Sequence, residues 1–409
     1  VHDLPNVVGY DSLNEPGSGY LGMDDLNRVN VRLVALGATP TPFQGMVAAS
    51  GYAQQVDLYE AGFQGFQPAG KIMLNAGRAR LWRAGYDCPW KQNGVWTDGN
   101  GAPELLRPQH FARKRDGSAV DVANDYLKPF IVRYIQAMRT VHPDALFFIE
   151  GFPGGGPHPH WNAADPPGVV NGGHWYDGLT LFTKQFNPDF NVNMQLMEPI
   201  MGAENVQQSF TAQLAAIKES STADMGGIPT LIGEFGLPFD LDEKSGYTRG
   251  NFDLHTQALD MYYNAMDANL LNCTIWNYTP DNSNARGDLW NDEDLSIFSR
   301  DQQDKDWRED IHAGGRGTAA VARPYARAVA GEPLRMRFDR ATRVFELEFR
   351  HDPAISAPTE IFVPDFHYPH GCIVELSDGS YRQEGDTLYI EHTAGQALHT
   401  VRLLPKTAL

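Results

Sequence analysis

Short, mainly apolar runs that alternate with amphipathic helical segments set the strongest constraint on how this chain folds. These runs lie, in chain order, at residues 7–10, 145–149, 169–170 followed by 174–176, 229–233 and 273–276. Helical spacing of apolar residues between them predicts helices at residues 122–141, 206–219 and 254–268. Strands separated by helices are typical of a parallel sheet whose faces are covered. The pattern therefore predicts an α/β fold.

The number of strands fits part of a closed barrel. A (β/α)₈ TIM barrel needs eight parallel strands, and the pattern supplies five. The chain begins without an initiator Met and enters its first strand almost at once. We therefore expect residues 1–322 to form the C-terminal part of a catalytic barrel, with three strands missing from the front of this chain. Any N-terminal targeting region would be missing with them.

A second pattern takes over near residue 323. Apolar and polar residues alternate in short runs, and turn signals such as Asp378-Gly379 lie between the runs. About five short strands fit into this segment. We expect residues 323–409 to form a small C-terminal β-sandwich domain. By contrast, residues 16–118 have no clear period and are rich in Gly, Pro and Trp, so a long loop region is expected there.

Charge and cysteine content exclude several functions. The net charge of −18 argues against a nucleic-acid surface and against docking onto anionic lipid by charge alone. No apolar stretch reaches the ~20 residues of a transmembrane segment. The three cysteines are far apart and have no metal-site spacing. The compartment stays unknown, with a slight preference for the cytoplasm.

The first candidate catalytic group is Glu15, in the segment Asn14-Glu15-Pro16 that follows the first strand. The carboxyl ends of barrel strands form the catalytic face, and cleavage of a glycosidic bond needs an acid that protonates the leaving oxygen. Asn14 is placed to hydrogen-bond a sugar hydroxyl beside the reacting carbon. The alternative is a plain strand-ending turn, which Asn and Pro both favour.

The second candidate is Glu234, which ends another apolar strand and stands between Gly233 and Gly236. The glycines would let a substrate approach the backbone closely, and a nucleophile needs a carboxylate held at a strand end. The alternative is a partly buried Glu paired with a cation. Together, Glu15 and Glu234 predict a retaining glycosidase, whose carboxyl groups lie only ~5–5.5 Å apart. Their pKa values should differ, because the acid stays protonated while the nucleophile is ionised.

Three further side chains are candidate substrate-binding groups. His174 and Tyr176 lie two residues apart, so on a strand they face the same side. Trp276 ends the last strand and is placed to stack under a sugar ring. The acidic segment 280–297 lacks the spacing of a calcium loop, and we interpret it as a polar active-site loop. No metal and no cofactor are expected.

These motifs resemble family 5 of the retaining glycoside hydrolases, in the branch of endoglycoceramidases, glucosylceramidases and steryl-β-glucosidases. The resemblance rests on segments 13–16, 174–176, 232–236 and 276–278, in the order of barrel strands four, six, seven and eight, and on segments 39–44, 105–108 and 287–297. It implies that Glu15 is the acid/base, that Glu234 is the nucleophile, and that Asn14, His174, Tyr176 and Trp276 shape the glycone subsite. It also implies a companion N-terminal segment or chain that supplies strands one to three.

The resemblance predicts a β-glucosidase that acts on glycolipids such as glucosylceramide or steryl glucoside. An endo-acting glycanase or an endoglycoceramidase is the alternative among enzymes. A closed pocket would favour the β-glucosidase, and a long open cleft would favour the endo-acting enzyme. Segment 17–118 could form the walls of either one, or a surface that faces lipid. A non-catalytic carbohydrate-binding fragment is the alternative from another class.

Overall fold

The computed structural model describes residues 3–29, 37–62, 65–153, 156–196, 198–289, 293–393 and 395–407 of the 409-residue chain. The chain forms two compact units. The inserted unit is Pro16–Ile131, and the main unit is Val1–Glu15 together with Val132–Leu409.

The helices and strands alternate along the main unit and give way to strands alone near its end. The strands are β1 (Gly9–Asp11), β2 (Gly37–Thr39), β3 (Gln54–Gly62), β4 (Gly65–Leu74), β5 (Trp96–Thr97), β6 (Glu104–Leu105), β7 (Leu146–Ile149), β8 (Val169–Asn171), β9 (Phe190–Asn193), β10 (Glu198–Met201), β11 (Leu231–Phe235), β12 (Asn272–Ile275), β13 (Tyr325–Ala328), β14 (Gly331–Asp339), β15 (Val344–His351), β16 (Thr359–Phe362), β17 (Cys372–Leu376), β18 (Ser380–Glu384), β19 (Thr387–Glu391) and β20 (Leu398–Pro405). The helices are α1 (Pro42–Ala49), α2 (Pro89–Gln92), α3 (Lys128–Arg139), α4 (Gly178–Thr183), α5 (Ala203–Ala223), α6 (Leu241–Arg249), α7 (Asp253–Asn269) and α8 (Thr318–Val321), with a π-helical turn at Ala123–Leu127 and a 3₁₀ turn at Arg300–Gln302.

Five parallel strands form the scaffold of the main unit. β1, β7 and β8 pair in that order, and β11 pairs with β12. Parallel bridges from Asn171 to Thr230 and from His174 to Glu234 join β8 to β11. The predicted run of parallel strands is therefore present. Among the described residues this ladder stays open, with β1 and β12 at its two edges.

Helices α5 and α7 cover the ladder because their apolar faces meet the strands in one core. Trp175, Phe210 and Tyr262 contact one another edge to face, with ring centroids 5.1–5.4 Å apart. Ile232 and Phe235 of β11 are fully buried in the same cluster. The helical spacing predicted both helices, although α5 extends beyond residues 206–219 at each end.

The last eight strands form two four-stranded antiparallel sheets, ordered β13-β16-β19-β18 and β14-β15-β20-β17. Alternate residues of β15 and β20 are buried, as their period of two predicts. Phe345, Leu347, Ile361, Leu388 and Leu403 are among the residues that share one core between the sheets. Two of these strands, β13 and β18, carry too few buried apolar residues for the alternation to reveal them.

Arg323 links strand β14 to helix α7. The side chain is buried, and its Nη2 donates to Asp267 Oδ2 at 2.8 Å and to Asn264 Oδ1 at 2.8 Å. The same atom lies 3.4 Å from the carbonyl oxygen of Phe338 in β14. Burial raises the pKa of Asp267 to about 6 despite the opposing charge of Arg323. The positive charge of Arg323 therefore offsets part of the cost of burying the carboxylate of Asp267.

The inserted unit is more regular than its sequence predicts. The expected long loop region at residues 16–118 is wrong, because β2, β3 and β4 form an antiparallel sheet and α1 packs beside β3. Polar and glycine residues in β3 and β4 hide the alternation that marks a strand. A local signal did exist for α1. Thr41 caps the backbone N–H of Gln44, and the Gln44 side chain accepts from the Thr41 N–H, which completes a capping box.

None of the helices in the described part of the chain is long and apolar enough to cross a membrane.

Candidate active site

Acidic side chains gather where the parallel strands of the main unit end. Asp11 ends β1, Glu150 directly follows β7, and Glu234 lies in β11. His174 follows β8 and is bridged to Glu234. Because the carboxyl ends of parallel strands lie at one edge of a sheet, the fold itself brings these groups together.

Glu15 and Glu234 face each other across His174. A carboxylate oxygen of each glutamate and one His174 ring nitrogen all lie within 4.8 Å of one another. His174 Nδ1 is 3.0 Å from Glu15 Oε1 and 3.8 Å from Glu234 Oε2. The side chain of Glu15 is 44% exposed and that of Glu234 is 18% exposed. Both carboxylates are thus close together and accessible from solvent.

Tyr176 holds the second carboxylate from the other side. Its hydroxyl donates to Glu234 Oε1 at 2.7 Å, a short charge-assisted hydrogen bond. Burial, and then this hydrogen bond to Glu234, raises the pKa of Tyr176 far above its ordinary value. Trp175, between His174 and Tyr176, points the other way into the core. The predicted two-residue spacing therefore places both polar side chains on the site.

Glu150 is a site residue that the sequence analysis missed. It is only 3% exposed, and its Oε1 lies 3.2 Å from His174 Nε2. Its other oxygen, Oε2, accepts the backbone N–H of Glu15 at 3.0 Å. A carboxylate directly after an apolar strand is the same signal that identified Glu234, so the sequence did contain this information. We call Glu15, Glu150, His174 and Glu234 the His174 cluster.

The backbone at Glu15 is strained. Its φ angle is 43°, in the left-handed region that non-glycine residues seldom occupy. The hydrogen bond from its N–H to the buried Glu150 supports this conformation. Strain of this kind concentrates at functional sites, where surrounding structure holds a side chain in one orientation.

The protonation states follow from these contacts. Burial opposes a charge on His174, but hydrogen bonds to Glu15 and Glu150 and the charges of Glu150 and Glu234 outweigh it and raise the pKa of His174 to about 10. The hydrogen bond from His174 lowers the pKa of Glu15. A protonated Glu15, as the acid role requires, is therefore not the state of the free site. With its raised pKa, His174 is the group that donates to Glu15 Oε1, through Nδ1 at 3.0 Å.

Asp11 adds a second carboxyl group behind the cluster. Burial, followed by the neighbouring charge of Glu150, raises the pKa of Asp11 to about 6. Its Oδ1 accepts the backbone N–H of Leu13 at 2.8 Å, in the turn that leads to Glu15. Asp11 thus shapes the loop that carries Glu15 and is a further residue the sequence analysis did not select.

Asn14 and Trp276 are both open to solvent, at least in part. Asn14 is exposed and directly precedes Glu15. Trp276 follows β12, is 37% exposed, and donates its backbone N–H to Phe235 O at 2.8 Å. The peptide bond between Trp276 and Asn277 is cis. Trp276 therefore follows the strand next to Glu234 with part of its side chain open to solvent.

The two glycines around Glu234 are required by the packing of neighbouring backbone. A Cβ atom on Gly233 would lie 2.5 Å from the carbonyl oxygen of Gly172, and one on Gly236 would lie 2.2 Å from that of Trp276. Any larger residue would push neighbouring backbone away from β11. The close approach of a substrate to these glycines stays a prediction.

The acidic segment 280–297 is partly an internal anchor. Asn282 and Asp294 are buried, and Arg316 binds Asp294 through two nitrogens at 2.8 and 2.5 Å. Arg316 Nε also donates to the carbonyl oxygen of Ser296 at 3.1 Å. We call Asn282, Asp294, Ser296 and Arg316 the Arg316 cluster. The prediction of a polar active-site loop is thus wrong for Asn282 and Asp294, while Trp290, Asn291 and Asp292 lie outside the described residues.

Glu15, His174 and Glu234 together have the donor types of a metal site. The imidazole, however, donates from both nitrogens when it is protonated and then has no lone pair for a metal ion. The imidazolium already compensates the surrounding carboxylates. A proton and a metal ion would therefore compete for the same lone pair of His174.

Comparisons with known proteins show what the chain as a whole is similar to. Residues 323–403 match the sequence profile of the glycoside hydrolase family 5 C-terminal domain. A glucosylceramidase from Rhizopus delemar is 32% identical over 97% of this chain and 62% of its own length. An ergosteryl-beta-glucosidase from Saccharomyces cerevisiae is 28% identical over 73% of this chain and 43% of its own length.

The structural comparison gives the same result. The crystal structure of Cryptococcus neoformans sterylglucosidase 1 with tris superposes with a TM-score of 0.88 and 29% identity, over 97% of this chain and 63% of that chain. The chain thus spans less than two thirds of the length of these relatives. The predicted resemblance to glycoside hydrolase family 5 and to its glucosylceramidases and steryl-glucosidases is confirmed as a similarity of sequence and structure.

Proposed function

We propose that this chain carries the catalytic centre of a retaining β-glucosidase that hydrolyses glycolipids such as glucosylceramide or steryl glucoside. One observation carries the proposal: carboxylate oxygens of Glu15 and Glu234 lie within 4.8 Å of each other. Retaining enzymes hold their two carboxyl groups about 5–5.5 Å apart, whereas inverting enzymes need about 6.5–9.5 Å to admit a water molecule.

The proposed reaction has two displacements. Glu234 attacks the anomeric carbon while Glu15 protonates the glycosidic oxygen, so the aglycone leaves as an alcohol and the sugar is esterified to Glu234. Water then attacks the same carbon. Glu15 accepts the water proton, the ester bond to Glu234 breaks, and glucose leaves with its anomeric configuration retained.

His174 supplies the proton for the first displacement. In the free site the proton lies on Nδ1, 3.0 Å from Glu15 Oε1. A bound sugar excludes water, and desolvation disfavours the charge on Glu15. Transfer from His174 to Glu15 then gives the neutral acid. Tyr176 restrains Glu234 for in-line attack, and Asn14 and Trp276 line the glycone subsite.

The substrate class is inferred from the relatives, whose names specify glucosylceramide and ergosteryl glucoside. A panel of aryl β-glucoside, glucosylceramide, steryl glucoside and lactosylceramide tests it. We expect release of glucose from the three monoglucosides. Release of intact lactose from lactosylceramide in preference to these would assign an endoglycoceramidase instead.

The roles of the two glutamates separate in a matched pair of variants. Glu234→Gln should lower kcat at least about 10⁴-fold, because it removes the nucleophile, and it should still bind substrate. Glu15→Gln should lose hydrolysis of glycolipids but retain formation of the glycosyl ester from an aryl glucoside with a good leaving group, which needs no protonation. Unchanged turnover in Glu234→Gln would refute the mechanism.

The open ladder suggests how the fold is completed. We assign β1, β7, β8, β11 and β12 to strands four to eight of a (β/α)₈ barrel, residues 1–322 to that barrel, and residues 323–409 to a β-sandwich domain. A companion segment would then pair with the free edges of β1 and β12, since unpaired edges expose backbone hydrogen-bonding groups. Light scattering that finds this chain alone, folded and monomeric would contradict the companion.

A further inference from the structure

The inserted unit contains a basic cleft that the proposed reaction does not use. The cleft has a volume of about 710 Å³. It is lined by five cationic side chains and two carboxylates, namely Arg28, Arg107, Arg113, Lys114, Arg115, Asp24 and Asp25, together with Pro108, Gln109 and His110. A volume of this size is typical of small-molecule sites. We call these residues the basic cleft.

The walls of the basic cleft are fixed to the core of the inserted unit. Leu26, fully buried, donates its backbone N–H to Pro108 O at 3.0 Å, which joins the segment of Arg28 to that of Arg107. Phe111 packs against Trp90 with ring centroids 6.4 Å apart. A short antiparallel bridge between Arg113 and Ala119 holds the third segment. The cationic groups therefore converge from three anchored segments.

Most carboxylates near the cleft are already engaged. Asp25 lies 3.4 Å from Arg28 Nε, and Asp125 accepts from Lys114 Nζ at 3.0 Å. Asp116, next to Arg115, accepts from the N–H and hydroxyl of Ser118 at 3.0 and 2.7 Å. Within the described parts of the chain, Arg107, Arg113 and Arg115 have no carboxylate at ion-pair distance. Arg113 Nη1 donates to the carbonyl oxygen of Gly117 at 3.3 Å, so its charge, like those of Arg107 and Arg115, is not balanced by a carboxylate.

The local charge differs from that of the whole chain. Residues 16–131 contain 12 Lys or Arg and 10 Asp or Glu, whereas the full sequence contains 33 and 51. The excess of negative charge therefore lies outside the inserted unit. The net charge of −18 for the full chain disfavours binding to anionic lipid by charge alone. The inserted unit does not share that negative charge, so anionic lipid is not disfavoured there.

We propose that the basic cleft binds the phosphate group of an anionic phospholipid and so docks the inserted unit on a bilayer. Guanidinium groups match phosphate oxygens in geometry and charge. Burial, and then the charge of Arg107, lowers the pKa of His110, so the ring is neutral and adds hydrogen bonding to the cleft. Leu106, directly before Arg107, is 49% exposed and offers an apolar contact to the lipid.

The presence of an anion site is independent of the reaction. The choice of a lipid phosphate over a free phosphate rests on the proposed function, because a glycolipid substrate lies in a bilayer. The two sources are distinguished by direct tests. Vesicles of phosphatidylcholine with and without phosphatidylserine, both free of glycolipid, provide the membrane, and inorganic phosphate provides the free anion.

The experiment is vesicle flotation of the full chain at low and at physiological ionic strength. We expect binding only to vesicles that contain phosphatidylserine, with weaker binding at higher salt. A basic residue near an anionic surface contributes about a fivefold gain in partitioning. The double variant Arg107→Gln/Arg115→Gln should therefore lose binding by more than about tenfold.

A control double variant outside the cleft changes the net charge of the chain by the same amount. Arg78 and Arg83 are exposed in the same unit but do not line the cleft. The double variant Arg78→Gln/Arg83→Gln should bind vesicles like the parent chain. Equal losses in both double variants would overturn the proposal, because binding would then depend on charge alone. Arg115→Glu is a second cleft variant and should weaken binding more than Arg115→Gln.

Inorganic phosphate separates the remaining outcomes. Competition by millimolar phosphate against vesicle binding supports a shared phosphate site. Binding of inorganic phosphate, measured by calorimetry and lost in Arg107→Gln/Arg115→Gln, without any vesicle binding overturns the lipid assignment. Turnover of a soluble aryl glucoside, measured in parallel, reports separately on the proposed function and should be the same in all four variants.

Discussion

The His174 cluster places a cation among three carboxylates and the Arg316 cluster pairs a cation with one buried carboxylate, and the two cations differ in what they can do. Arg316 is fully buried and bound by Asp294 through two nitrogens. A guanidinium group is not an acid that can hand a proton to a neighbouring carboxylate in a protein. His174 can release its proton, and Glu15 beside it is 44% exposed. The Arg316 cluster is suited to stabilising the fold, and the His174 cluster is suited to transferring a proton.

The pKa shifts express the same difference. Burial opposes the charge on Asp294, but the hydrogen bonds and charge of Arg316 prevail and lower the pKa of Asp294. Its remaining neighbours, Tyr247 and Asn282, also donate to it. In the His174 cluster the carboxylates share one titratable cation. A closed network of this kind stabilises the fold, whereas an accessible network that shares a movable proton can perform chemistry.

Removal of the arginine should have the largest effect on stability. Arg316→Gln leaves Asp294 buried without its cation, which should lower the free energy of unfolding by about 3–5 kcal/mol. The measurement is the urea midpoint together with turnover per folded molecule, which should change little. Arg335→Gln, which removes an exposed pair with Glu346, is the control and should cost less than about 1 kcal/mol. Lost turnover at an unchanged midpoint would place Arg316 in the reaction.

Removal of the histidine should act mainly on the rate. His174→Gln abolishes the proton store beside Glu15, so kcat/KM should fall roughly 10²–10³-fold. His370→Gln, at an exposed position, should have no effect. A rate loss in His174→Gln below tenfold would contradict the assignment of the proton to His174.

The same variant tests a pH dependence of stability. Because the pKa of His174 is raised from 6.5 to about 10, its contribution to stability is complete below pH 6.5 and is lost as the pH rises toward 10. The pKa of Glu15 is lowered from 4.5, so the contribution of this pair is also lost as the pH falls below 4.5. Unfolding midpoints of the parent should therefore be most favourable between these values, and His174→Gln should lack this dependence.

The sequence predicted the His174 cluster better than the Arg316 cluster for a physical reason. Glu15, His174 and Glu234 each follow an apolar strand, and parallel strands bring such positions together without further information. Arg316 and Asp294 are 22 residues apart and meet through the path of an irregular segment. No periodicity marks such a contact. The sequence also did not predict that the pKa of Glu15 is lowered, because this shift depends on the hydrogen bond to His174.

A matched pair of tyrosine variants sharpens the comparison. Tyr176 donates to Glu234, and Tyr247 donates to Asp294. A hydrogen bond to a charged group contributes about 1.5–3 kcal/mol. Tyr176→Phe should therefore lower kcat about tenfold or more with little change in the unfolding midpoint. Tyr247→Phe should do the reverse. If both variants changed the same quantity, the division between the clusters would be wrong.

The smallest effect is expected from Glu150, the buried carboxylate behind His174. Glu150→Gln removes one of the charges that raise the pKa of His174. An opposite charge at this distance shifts a pKa by about 1–3 units. The alkaline limb of the kcat/KM profile should therefore move down by at least about one unit, while the rate on the plateau falls less than tenfold. Glu198→Gln, at an exposed position, is the control.

A shift of the alkaline limb with a nearly unchanged plateau identifies Glu150 as a positioning residue that acts through His174. An unmoved limb would mean that Glu150 only supports the backbone of Glu15, through the hydrogen bond it accepts from that residue.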